Sequence, residues 1–135
     1  MSNKLNAVCF GGIFALASFL AQPVHADEWN KRTEFQFSAP VAIPGMVLLP
    51  GKYVFEIADV GTSRNIVEVF SEDSKGKDSL LETLITSSDY APNAPTKATV
   101  TFEEGPSGTP EAIRSWFYPG DDIGWEFNYP SGKRP

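Results

Sequence analysis

Hydrophobic and polar positions alternate in short runs along most of this chain, and period-two alternation predicts half-buried β-strands. Thr33 to Ser38 places Phe35 and Phe37 on one face. Lys52 to Ile57 groups Tyr53, Phe55 and Ile57. Asn65 to Phe70 is a β-branched run with Glu68 inside it, and Leu80 to Thr86 is another apolar-rich run. Lys97 to Glu103 alternates most cleanly, with Ala98, Val100 and Phe102 inward and Thr99, Thr101 and Glu103 outward. Ala112 to Tyr118 and Trp125 to Tyr129 complete the set. Ala112 to Tyr118 follows Pro110-Glu111, which suits a helix start, but its aromatic and β-branched content favours a strand.

Proline and glycine separate these runs. Proline presets φ for the first central position of a turn, and glycine supplies positive φ at the second. Pro44-Gly45, Pro50-Gly51 and Pro119-Gly120 have that order. Ser71 to Asp78 and Glu104 to Pro110 carry loop chemistry, and Tyr90 to Thr96 reads as a longer connection. The tail Ser131 to Pro135 reads as a frayed end. Seven or eight short strands with no amphipathic helix predict an all-β domain. An antiparallel β-sandwich is expected, with a small β-barrel as the alternative.

The first 26 residues have a different pattern. Lys4 precedes an apolar run from Ala7 to Ala21, Gln22-Pro23 breaks it, and Val24-His25-Ala26 offers a small-x-small cleavage site before Asp27. That is the pattern of an export signal, and the run is too short for an ordinary membrane span of ~20 apolar residues. An uncleaved N-terminal anchor is the minor alternative. Residues 1–26 are therefore expected to be a signal peptide and 27–135 a single β-sandwich domain. Cleavage would take away the only cysteine, Cys9, and the only histidine, His25. Cys9 lies near the start of the apolar run, not after it, so it is not placed to be a lipid anchor.

Removing 26 of 135 residues leaves 109, with ten basic and 17 acidic side chains and a net charge of −7. A chain of ~100 residues can bury one core. Its charge disfavours nucleic acid, which is bound by lysine and arginine neutralising phosphates, and it disfavours an anionic membrane surface. The expected product is exported, periplasmic or extracellular, without membrane insertion and without a cofactor. Triads and zinc or copper sites that need histidine or cysteine are excluded from such a product. Neither a phosphate-binding glycine loop nor a dinucleotide fingerprint is present.

Two acidic pairs remain, Glu103-Glu104 and Asp121-Asp122. Brought together, they would hold a calcium ion or act on a glycosidic bond. Neither has the required pattern, and solvated loop charge is the simpler expectation. Arg64 and Arg114 would each pair with a carboxylate or form half of an anion clamp. Surface ion pairs are the plainer alternative.

The most unusual stretch runs from Trp116 to Pro130. In extended chain, Trp116 and Tyr118 share a face, with Phe117 opposite, while Trp125, Phe127 and Tyr129 share a face on the next strand. Trp116, Tyr118, Trp125 and Tyr129 are thus candidate ligand-binding rings for a sugar or a protein partner, together with Trp29. The simpler expectation covers both faces of this hairpin, one by the second sheet and one by loops or the Trp29 segment.

Three segments carry a resemblance. They are Trp29-Asn30-Lys31-Arg32-Thr33, Ile43-Pro44-Gly45 followed by Leu49 to Phe55, and the ending from Trp116 to Pro130. Together they resemble a group of small exported bacterial proteins of unknown function, over nearly the whole of residues 27–135. The resemblance implies an exported, single-domain bacterial protein and brings no activity or site residue with it. Pro50-Gly51-Lys52-Tyr53-Val54-Phe55 also looks like a hairpin element of transthyretin-like and other sandwich domains, a likeness that carries no function. Three functions are open. They are a non-enzymatic domain that binds a protein or belongs to the envelope, a carbohydrate-binding module, and a hydrolase using only carboxylates.

Overall fold

Nine strands account for the alternation: β1 Thr33–Phe37, β2 Val41–Ile43, β3 Met46–Leu48, β4 Gly51–Ile57, β5 Ile66–Glu72, β6 Asp78–Tyr90, β7 Thr99–Glu103, β8 Glu111–Phe117 and β9 Ile123–Phe127. The structure is a computed structural model and describes residues 29–58, 61 and 64–130. The expected export signal and cleavage site, and the tail expected to fray from Ser131 to Pro135, lie outside the described residues. Among the described residues there is no helix, so Ala112 to Tyr118 is resolved in favour of strand.

The strands form one path, β1-β4-β5-β6-β9-β8-β2-β3, with β7 added on β8. β6 makes the path fold over. Its first part pairs β5, from Glu72↔Asp78 to Ile66↔Ile85. Its last part pairs β9, from Thr86↔Phe127 to Tyr90↔Ile123. One long strand therefore belongs to two sheets. The path is not closed, which removes the barrel alternative. β2 runs parallel to β8 through Val41↔Glu111 and Ala42↔Ala112, so the sheet is mixed and not wholly antiparallel.

The two layers meet through aromatic rings. Phe55 of β4 stands edge-on to Trp116 of β8, with ring centroids 5.6 Å apart at 88°. Phe127 of β9 closes on Phe55 at 5.9 Å. Phe35, Phe37, Tyr53, Ile57, Val67 and Val69 complete one inner face, and Val41, Ile43, Leu48, Val100 and Ile113 the other. Each large side chain so buried contributes roughly 1.5–3 kcal/mol relative to exposure. Val100 of β7 is in the core, while Phe102 and Ala98, just before the strand, pack against it half-buried. A register shift between Thr101 and Phe102 interrupts that strand.

Pro44-Gly45 forms the two-residue turn of the β2–β3 hairpin, where Ile43 pairs Met46. Gly45 has φ +95° and Gly120 has φ +85°, as the Pro-Gly order requires. Pro50-Gly51 is different, because Gly51 opens β4 and pairs Phe37. The expected loop from Ser71 to Asp78 shrinks to Asp73–Lys77. Asp73 Oδ1 accepts the backbone N–H of Lys75 and of Lys77, both at 2.9 Å, which tightens the loop and lets both strands extend.

Candidate functional site

The four candidate rings have unlike surroundings. Trp116 is fully buried and offers no surface to a ligand. Its indole N–H has no hydrogen-bond partner among the described residues, so its place is set by packing alone. Tyr129 is tied inward, its hydroxyl proton shared between Ile113 O at 2.7 Å and Ala42 O at 3.1 Å. Tyr118 is half-buried, and the Lys31 ammonium stands 4.9 Å from its ring centroid. Trp125 is also half-buried, and it lines an open cleft. The continuous platform Trp116–Tyr118–Trp125–Tyr129 therefore does not exist. Three rings are engaged inside the fold or beneath a lysine, and one reaches a cavity.

The hairpin is covered on both faces at Trp116 and Phe117 but opens toward Trp125 and Ile123, so the simpler expectation holds for only part of its length. Trp116 points to the facing sheet, and its centroid lies 4.6 Å from that of Trp125. On the other side the buried Phe117 lies against Gly124. A methyl group built on Gly124 would come within 2.5 Å of Trp116 O and 2.7 Å of the Phe117 ring, so only glycine fits. The connection after β6 is pinned to the same end, with Ala91 N–H donating to Asp122 O and Gly120 N–H to Pro95 O, each at 2.8 Å.

The cleft beside Trp125 has a volume of about 570 Å³. Four segments build it: Lys31 before β1, Arg64-Asn65 before β5, Ser87-Ser88 near the end of β6, and Gly120 to Trp125. Thr86 joins two of them. Its backbone N–H and its hydroxyl both donate to Asn65 O, at 2.9 and 2.8 Å, and the Asn65 amide donates back to Thr86 O at 3.3 Å. The Trp125 indole N–H donates to Arg64 O at 3.0 Å, which fixes the ring against the same segment.

Among the described residues Arg64 makes neither of the arrangements expected of it. Its guanidinium donates to Trp29 O at 2.8 Å and lies 4.8 Å from the Trp29 ring centroid. Arg114 faces Asp89 and Glu126 at 3.9 and 3.8 Å on the outer side of the sheet, so the two arginines form no clamp. Lys31 pairs with Asp121 at 3.0 Å. It adopts φ +55°, the left-handed region that side chains other than glycine rarely occupy. Asn30 supports that turn by accepting the Arg32 N–H at 3.1 Å and donating to Glu56 Oε1 at 2.6 Å.

The two acidic pairs do not converge. Asp121-Asp122 follow β8, whereas Glu103 pairs Ala112 at the start of β8. The length of β8 separates them, roughly 17 Å at 3.3 Å per residue. Among the described residues, no group of three or more His, Cys, Asp or Glu side chains is placed to hold a metal ion. A second cleft of about 400 Å³ lies at the opposite end, between Phe37 to Val41, Phe102 and Gly108 to Glu111. Partial burial there, and then repulsion from Glu104, push the Glu111 carboxyl above the usual glutamate range.

Sequence reasoning found Trp125 but not the cleft around it. Lys31, Asn65, Ser87 and Ser88 are ordinary polar residues, far apart in the chain, and only the sheet order assembles them. No family model, no curated protein and no solved structure matches this chain.

Proposed function

We propose that this chain is an exported, non-enzymatic binding domain of the bacterial envelope, and that it binds through the cleft beside Trp125. The observation that carries this is the way the inner face of the second sheet leaves the sandwich. Its aromatic and polar side chains then line an open cavity of about 570 Å³, within the usual size of ligand sites. The separation of the carboxylate pairs supports a binding role over hydrolysis, because acid–base work on a glycosidic bond needs two carboxyl groups less than ~10 Å apart. Export and the bacterial setting rest on the N-terminal pattern and the family resemblance.

Hydrogen exchange tests the proposal. The protein is purified from cells expressing the full chain and incubated with and without an envelope extract of its source. Protection confined to Arg64-Asn65, Ser87 to Tyr90 and Gly120 to Trp125 is the expected result. Protection elsewhere, or none, overturns the assignment of the cleft.

A further inference from the structure

The exposure along β6 and β9 changes in one direction. Phe127 and Thr86 face each other and are each 3% exposed. Trp125 and Ser88 come next, and then Ile123 and Tyr90, at 49% and 61%. These pairs lie on one face of the sheet, because side chains two residues apart share a face. An apolar surface that is sealed at one end thus runs out into water at the other. Trp29 stands 59% exposed beside Arg64 at the same end. Such a surface favours a ligand with apolar faces of its own.

The charges lining the cleft narrow the ligand class. Among the described residues it contains two cations, Lys31 and Arg64, and two carboxylates, Asp121 and Asp122. Lys31 and Asp121 neutralise one another at 3.0 Å. The described lining is therefore formally neutral in a chain of net charge −6. It offers no excess of one sign to steer an anion or a cation, which favours an uncharged ligand. The other polar side chains of the lining are the Ser88 hydroxyl and the Asp122 carboxylate, with the Asn65 amide and the Ser87 hydroxyl, which also donate to Thr86 O and Asn128 Oδ1. Together they mix donors with acceptors, as vicinal hydroxyl groups need.

We infer that the cleft binds an uncharged oligosaccharide, with C–H faces of the sugar rings against Trp125 and Ile123 and hydroxyls toward Asn65, Ser88 and Asp122. This rests on the cleft being the binding site, and it names the ligand class. An open cleft suits the end or bend of a chain of sugars better than an enclosed small molecule.

The test is a titration followed by amide and indole NMR, with protein purified from cells expressing the full chain. The probes are maltotetraose, cellotetraose and tetra-N-acetylchitotetraose, with an oligogalacturonate as the anionic control. At least one uncharged probe should shift the Trp125 indole N–H and the Asn65 and Ser88 amides at millimolar concentration. Ser88→Trp, which fills the cleft from an exposed position, should weaken that binding by about tenfold or more while leaving the dispersed spectrum intact. Asp122→Asn gives a second exposed variant and should weaken it by a smaller factor. No shift with any uncharged probe overturns the inference, as does tighter binding of the oligogalacturonate or indifference to Ser88→Trp. If sugars fail while an envelope extract still protects the cleft, the ligand class is wrong and the binding site stands. If both fail, both fall.

Discussion

Trp116 and Trp125 face each other across β8 and β9, yet one is sealed and the other lines a cavity. Their chemistry is the same and their rings touch. The difference is position along the sandwich. Trp116 lies opposite Phe55 of the facing sheet, where the two layers overlap. Trp125 sits two residues inside the start of β9, where the facing sheet is ending. Aromatic content therefore does not mark the open cleft in this protein. The cleft lies where an inner face outruns the layer that covers it.

The largest effect expected separates these two rings. Trp116→Ala removes a fully buried indole and should cost about 3–5 kcal/mol, which is enough to unfold many domains of this size. Trp125→Ala should cost only about 1–2 kcal/mol, because its ring is half-buried and its pair with Trp116 is worth about 0.5–1.5 kcal/mol. Urea unfolding of both variants measures the gap. Equal costs would mean that Trp125 is as much a core residue as Trp116, and the contrast would disappear.

Gly124→Ala tests whether the other face of the hairpin is as tightly closed. The added methyl meets a backbone oxygen at 2.5 Å, so the strand itself must move and not merely a flexible side chain. A loss of about 1–3 kcal/mol is expected, as for other overpacked sites. An unchanged urea midpoint would show that Phe117 and the β8 backbone yield freely, and that this face is looser than the one carrying Trp116.

The strands that position Trp116 were legible because the alternation extends over five or more residues. β1, β4, β5, β7, β8 and β9 fall within two residues of the runs that predict them. β2 and β3 were not legible. Val41-Ala42-Ile43 is buried at all three positions, so it has no alternation to detect, and each strand is only three residues long. Their turn at Pro44-Gly45 was visible while the strands it joins were not. The second half of β6 was missed for a different reason. Ser87-Ser88-Asp89-Tyr90 is polar because it leaves the core, and a polar run resembles a loop even when it is paired strand. The residues that make the cleft were thus the ones least marked by hydrophobic pattern.

Lys31 supplies the smallest and cleanest contrast between the interior and the cleft. Among the described residues it is the one non-glycine with positive φ, and it lies at the rim beside Trp125. An L-residue in the left-handed region costs about 1–2 kcal/mol relative to the ordinary one, and glycine avoids that cost. Lys31→Ala and Lys31→Gly both delete the ion pair to Asp121, a half-buried pair at the rim worth about 1 kcal/mol. The difference between the two variants therefore isolates the backbone conformation. Lys31→Gly should be more stable than Lys31→Ala by about 0.5–1 kcal/mol, less than the full penalty because glycine also gains freedom in the unfolded chain. Urea midpoints decide it. If alanine equals or exceeds glycine, the turn relaxes once the lysine is gone. The left-handed conformation would then be imposed by the contacts to Asp121 and Tyr118, and not by the local chain.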